Sequence, residues 1–169
     1  ECESALTLGS DRVIVTSGFS KSMAITGFRV GYGIFPEEHV DDAKTRHMLV
    51  NVAGARPSQY AVQHALAETP PDYYAEARDL LRERADAFTD ALDAAGAEYS
   101  RPEGAFYVLA RFEGFPGTMA NVKRLVDEAG VAGMPGDAFG TARDEWIRFA
   151  LVTPRAVEAA ERLVDYFEE

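Results

Sequence analysis

Ser17-Gly18-Phe19-Ser20-Lys21-Ser22-Met23-Ala24-Ile25-Thr26-Gly27-Phe28-Arg29-Val30-Gly31-Tyr32 is the stretch on which the reading of this chain turns. It follows Asp11-Arg12-Val13-Ile14-Val15-Thr16, whose β-branched apolar centre between Gly9-Ser10 and Ser17-Gly18 predicts a short buried strand. Small and hydroxyl residues then surround a single lysine. If the stem of Lys21 packs in this loop, its charged form loses hydration, which favours the neutral amine that attacks an aldehyde. Arg29 stands eight positions on (29 − 21). A guanidinium there can bind a phosphate through paired hydrogen bonds, with the neighbouring Ser20, Ser22 and loop amides as further donors. A lysine in a glycine-containing loop, taken alone, is more simply a solvated surface residue.

Working outward, Gly27 to Phe35 reads as a strand whose glycines let another group approach its backbone, and Pro36 ends it. Glu37 to about Val50 predicts a helix with acids at its front and Lys44, Arg46 and His47 toward its back, matching the helix dipole. A second helix is expected over Ser58–Leu66, with Ser58 as its N-cap. After Pro70-Pro71, a long amphipathic helix runs from about Asp72 to Ala95 and closes at Gly96. Strands are expected at Tyr99-Ser100, over 105–109, 131–134 and 146–152, a helix over 118–129, and a last helix from Pro154 to about Phe167 with proline in its first turn. This order predicts an α/β architecture with a connecting helix over 71–96 and a small α/β domain over 97–169.

The chain has 169 residues, 47% of them hydrophobic, which is enough for a sizeable core. No apolar run reaches the roughly 18 residues that a membrane span needs, and the start lacks the pattern of a signal peptide. A cytoplasmic protein without a membrane partner is expected. The net charge of −11 disfavours nucleic acid, whose phosphates this surface repels. Cys2 has no partner cysteine, which argues against a disulfide or a thiolate metal site within the chain. His39, His47 and His64 lie on predicted helices without ligand spacing, so no metal is expected. Lysine occurs only at 21, 44 and 123, a scarcity typical of proteins from high-salt organisms, and it makes Lys21 conspicuous.

The stretch 17–32 closely resembles the cofactor-lysine segment of class I/II aminotransferases. The resemblance continues in Arg101-Pro102-Glu103-Gly104-Ala105-Phe106-Tyr107, in Gly130-Val131-Ala132-Gly133-Met134-Pro135-Gly136-Asp137-Ala138-Phe139-Gly140, and in Trp146-Ile147-Arg148-Phe149-Ala150. It implies the carboxy-terminal part of the pyridoxal-phosphate (PLP) transferase fold of the aspartate aminotransferase kind: the end of the large, mostly parallel-sheet domain plus the small domain. By that resemblance Lys21 forms the Schiff base with pyridoxal 5'-phosphate and moves the substrate's proton. Arg29 binds the cofactor phosphate and Arg148 grips the substrate's α-carboxylate. Many members place a serine or threonine three residues before the lysine, where this chain has Gly18, so Ser17 or Ser20 is expected to substitute.

On its residues alone, Arg148 between Ile147 and Phe149 needs a partner if it points inward, and a structural ion pair serves as well as a substrate. Trp146, Phe106 and Tyr107 read as core rather than cofactor-stacking residues. Tyr32 and Tyr60 are open candidates, and family members often place a phosphate contact to the neighbouring subunit near Ser58. The resemblance further implies a homodimer acting on an amino acid and a 2-oxo acid. Family members are more than twice this long, so the chain is expected to be a fragment. The aspartate at the pyridine nitrogen, the groups at the phenolic oxygen and the ring-stacking aromatic are then expected upstream. Another PLP reaction on this fold, a β-lyase or decarboxylase, and a ligand-sensing domain of a transcription regulator are the competing readings.

Overall fold

The computed structural model describes residues 3–168, so Cys2 lies outside the described residues. The chain divides into two compact units, Glu1–Tyr74 and Ala75–Glu169. In the first, β1 (Val15–Gly18) runs into a single helical turn, α1 (Phe19–Ser22), and after a 3-10 turn at Thr26–Phe28 the chain returns as β2 (Gly31–Ile34). The strands pair antiparallel from Val15 with Ile34 to Gly18 with Gly31. The connection holds a single helical turn and a 3-10 turn rather than a crossover helix, and it returns the chain beside the strand it left. A β-carbon on Gly31 would stand 2.8 Å from the Ser17 carbonyl oxygen, so glycine is what lets the strands close at the Lys21 loop.

Two helices complete this unit, α2 (Glu37–Asn51) and α3 (Arg56–Glu68). The expected cap at Ser58 is not formed. Pro57, with its preset φ, lies in the first turn of α3, so the helix starts at Arg56 and Ser58 falls inside it. No residue of α2 is buried, and a cavity of about 500 Å³ is lined by Tyr32, Phe35, Val40, Lys44 and His47 between that helix and the hairpin. The strand expected to be buried is therefore largely open: Ile14 and Ile34 are exposed, and Met23 and Val62 are the only buried hydrophobics of the unit among the described residues.

The second unit has a different construction. Helix α4 (Asp72–Ala94), whose first residues belong to the first unit, leads to β3 (Glu98–Tyr99), β4 (Tyr107–Arg111), α5 (Met119–Ala129), β5 (Met134–Pro135), β6 (Ile147–Ala150) and α6 (Ala156–Glu168). The strands form an antiparallel sheet in the order β3-β4-β6-β5. Alternation along β4 and β6 sends Val108, Ala110, Ile147 and Phe149 to one face, and the register sets Val108 opposite Phe149 and Ala110 opposite Ile147. Ala85, Phe88 and Leu92 of α4, Val122 and Leu125 of α5, and Ala160 and Leu163 of α6 complete that core at helical spacing.

Local signals explain the boundaries of α5. The Thr118 hydroxyl accepts from the Asn121 amide, and Gly130 closes the helix in the left-handed conformation at φ 68°. Pro154 is not in the first turn of α6 as expected. It lies in the turn that precedes Ala156, where the Thr153 hydroxyl accepts from the Arg155 amide. The Arg84 guanidinium of α4 donates to the Val152 carbonyl at 2.8 Å and ties that helix to the exit of β6.

Candidate functional site

In the first unit, the loop between β1 and β2 gathers three of the residues singled out from the sequence. Lys21 sits in α1 with Ser20 beside it, and Arg29 ends the 3-10 turn with its backbone in the left-handed region at φ 55°. For a residue with a β-carbon this costs about 1–2 kcal/mol, a strain that recurs at functional positions. The turn aims the side chain back across the loop. Arg29 Nη1 donates to the Thr26 carbonyl at 2.9 Å and lies 3.5 Å from Ser20 Oγ, while Thr26 Oγ1 donates to the Ser20 carbonyl at 2.8 Å. Thr26 therefore braces the pair, a role the sequence reading did not assign it.

Ser20 and Arg29 thus converge, whereas Ser17 joins no side-chain hydrogen bond among the described residues and lies in β1 opposite Tyr32. A guanidinium carries five N–H donors, so Arg29 keeps donors beyond the one spent on Thr26. A hydroxyl and a guanidinium together on an open loop fit a phosphate. The stem of Lys21 does not pack in the loop: its side chain is exposed, and of the residues around that turn only Met23 is buried. Of the tyrosines left open, Tyr32 packs on Phe19 with ring centroids 5.3 Å apart, and the Tyr60 hydroxyl accepts from Arg56.

Arg148 belongs to the second unit and points away from its core. The register places it between Leu109 of β4 and Met134 of β5 on the sheet face opposite Ile147 and Phe149. Its guanidinium lies 4.2 Å over the Tyr107 ring and 4.6 Å over the Phe139 ring, with Nη2 3.3 Å from Met134 Sδ. Among the described residues no carboxylate pairs with it, so the structural ion pair is not formed. Tyr107, expected in the core, instead stands on this outer face as the diagonal neighbour of Arg148. Phe106 and Trp146 are half-buried, and Trp146 lies under the Arg111 guanidinium. The grouping of Met134 and Phe139 with Arg148 was not legible beforehand, although both lie in a quoted glycine-rich segment.

Among the described residues, no cluster of His, Cys, Asp and Glu is placed to hold a metal ion, and no helix is long and apolar enough to cross a membrane.

Comparison with known proteins agrees with this arrangement. Residues 4–164 match the family model described as aminotransferase class I and II. The chain is 32% identical over 158 residues to the aspartate aminotransferase of Thermotoga maritima, covering 94% of this chain and 40% of that protein. It is 34% identical over 160 residues to the LL-diaminopimelate aminotransferase of Aquifex aeolicus, covering 90% and 40%. The aromatic aminotransferase of Pyrococcus horikoshii superposes with a TM-score of 0.80 at 28% identity, over 92% of this chain and 43% of that one. A Methanococcus jannaschii protein described as similar in its active site to kynurenine aminotransferases superposes with a TM-score of 0.87 at 26% identity, over 99% and 46%. The chain spans about 40% of the length of the curated relatives it matches. With the family model covering nearly all of its residues and the folds in register, the chain belongs to the aminotransferase class I and II family.

Proposed function

We propose that the protein carrying this chain is a PLP-dependent aminotransferase that moves an amino group from an amino acid to a 2-oxo acid. The observation that carries this reading is the brace of Ser20, Thr26 and Arg29 around the Lys21 turn, in a chain of a family whose members use PLP. When bound, the cofactor supplies an electron sink that weakens the bond between the substrate's α-carbon and its proton.

This chain's own groups then have separate tasks. Arg29 and Ser20, with Ser17 as a further candidate, hold the phosphate. The Lys21 Nζ, when neutral, can bond to an aldehyde carbon and can carry a proton. The Arg148 guanidinium grips the substrate's α-carboxylate by two parallel hydrogen bonds, which fixes the α-carbon. In this reading residues 1–70 close the large domain, 71–96 connect, and 97–169 form the small domain of a cytoplasmic homodimer.

Reduction of the complete protein with borohydride in the presence of PLP tests the assignment. The modified peptide is expected to contain Lys21, and label on Lys44 or Lys123 instead would overturn it.

A further inference from the structure

Arg148 poses a physical problem. A cation between apolar neighbours usually takes a carboxylate partner, but such a partner would occupy the hydrogen-bond donors that a substrate carboxylate needs. Among the described residues Arg148 has none, and it lies instead over the Tyr107 and Phe139 rings at 4.2 and 4.6 Å. A ring face attracts a guanidinium through its quadrupole, accepts none of its in-plane hydrogen bonds and leaves its charge uncancelled.

We propose that Tyr107 and Phe139 are positioning residues that hold the Arg148 guanidinium in place, with its charge and the donors not spent on Met134 Sδ left open for an incoming carboxylate. This rests on the reading of Arg148 as the carboxylate grip.

The two rings reach the cation by different routes. Tyr107 stands on β4, two residues from Leu109, which pairs with Arg148, so the sheet register sets its place. Phe139 ends the 3-10 turn Gly136–Phe139, whose first residue is buried and whose amide donates to the Gly117 carbonyl at 3.0 Å. A β-carbon on Gly136 would stand 1.8 Å from the Arg143 carbonyl oxygen. Glycine at that position therefore allows the turn to press down and carry Phe139 over the guanidinium. Phe139 is itself 46% exposed, which makes it a poor candidate for a core role and a good one for substitution.

The test uses the complete protein with Phe139→Leu, Phe139→Tyr and Arg148→Lys, and two readouts. One is the split of KM and kcat, the other the calorimetric Kd for propionate, an unreactive monocarboxylate. Phe139→Leu keeps apolar bulk but removes the ring, so KM and the propionate Kd are expected to rise about three- to tenfold with kcat little changed. Phe139→Tyr is expected to restore both. If Phe139→Leu leaves KM and Kd at native values while Arg148→Lys raises them, the ring-holding role is wrong and the reading of Arg148 stands. If Arg148→Lys also leaves both unchanged, that reading falls and the inference with it.

Discussion

Strand pairs β1–β2 and β4–β6 are alike in length and both antiparallel, yet their side chains meet different surroundings. In the first pair, Val15 opposite Ile34 and Ser17 opposite Tyr32 leave every residue at least partly open to solvent. In the second, Val108 opposite Phe149 and Ala110 opposite Ile147 are closed off by three helices. Strand pairing is thus not what separates the two units. A lone two-stranded hairpin is marginal in water, and stability comes when its apolar face is packed against another layer. The contrast coincides with the proposed division of tasks: the lysine assigned to the cofactor belongs to the bare unit, and the arginine assigned to the substrate belongs to the packed one.

The largest effect expected from this contrast is on catalysis by the 169-residue chain itself. Mixed with PLP, an amino acid and a 2-oxo acid, it should show no turnover. Its Lys21 loop stands on an under-packed hairpin, and no residue here is assigned to the pyridine ring. Saturable, stoichiometric cofactor binding together with turnover would remove the contrast.

A smaller effect separates the units by stability. Leu125 is fully buried, and Leu125→Ala is expected to cost about 2–5 kcal/mol in urea unfolding followed through the second unit. Ile34, 39% exposed, should cost under about 0.5 kcal/mol on replacement by alanine. Equal losses would mean that the hairpin is packed in solution.

The smallest expected effect is an acid response of the second unit. Glu158 is held at about 2, below the ordinary carboxylate value of 4.5, first by the hydrogen bond from Arg155 and then by the charges of Arg155 and Arg162. Because the folded value is the lower one, Glu158 contributes stability above about pH 4.5, and this is lost as pH falls toward about 2. Glu128 is shifted in the same direction, chiefly by the hydroxyl of Tyr166. Both carboxylates are exposed, so the effect should be small and weaken with salt. Denaturation midpoints of Glu158→Gln are expected to change less over that acid range than those of the native chain; an identical acid response would show that the Arg155–Glu158 pair contributes nothing in solution.

Much of the fold was legible because it is locally encoded. Pro36 before α2, Thr118 and Gly130 around α5, and Gly96 after α4 mark boundaries through backbone chemistry that acts within a few residues. The cap assigned to Ser58 failed for the same kind of reason, since Pro57 next to it starts the helix earlier. The Lys21 to Arg29 spacing was legible too, and the 3-10 turn between them brings Arg29 and Ser20 together. The exposure of Lys21 was not, because burial depends on what lies over a loop and no local pattern states that.

Arg148 divides along the same line. Its flanks Ile147 and Phe149 announce a strand, and alternation by itself determined that the arginine lies on the face opposite those two, while leaving open which face is inside. Which groups meet it there depends on Tyr107, Met134 and Phe139, from segments 41, 14 and 9 residues away (148 − 107, 148 − 134, 148 − 139). Strand register and the Gly136 turn brought them together, and only the tertiary structure decided that aromatic rings rather than a carboxylate would surround the charge. The physical reason is that alternation is a property of one strand, whereas a binding surface is assembled across several.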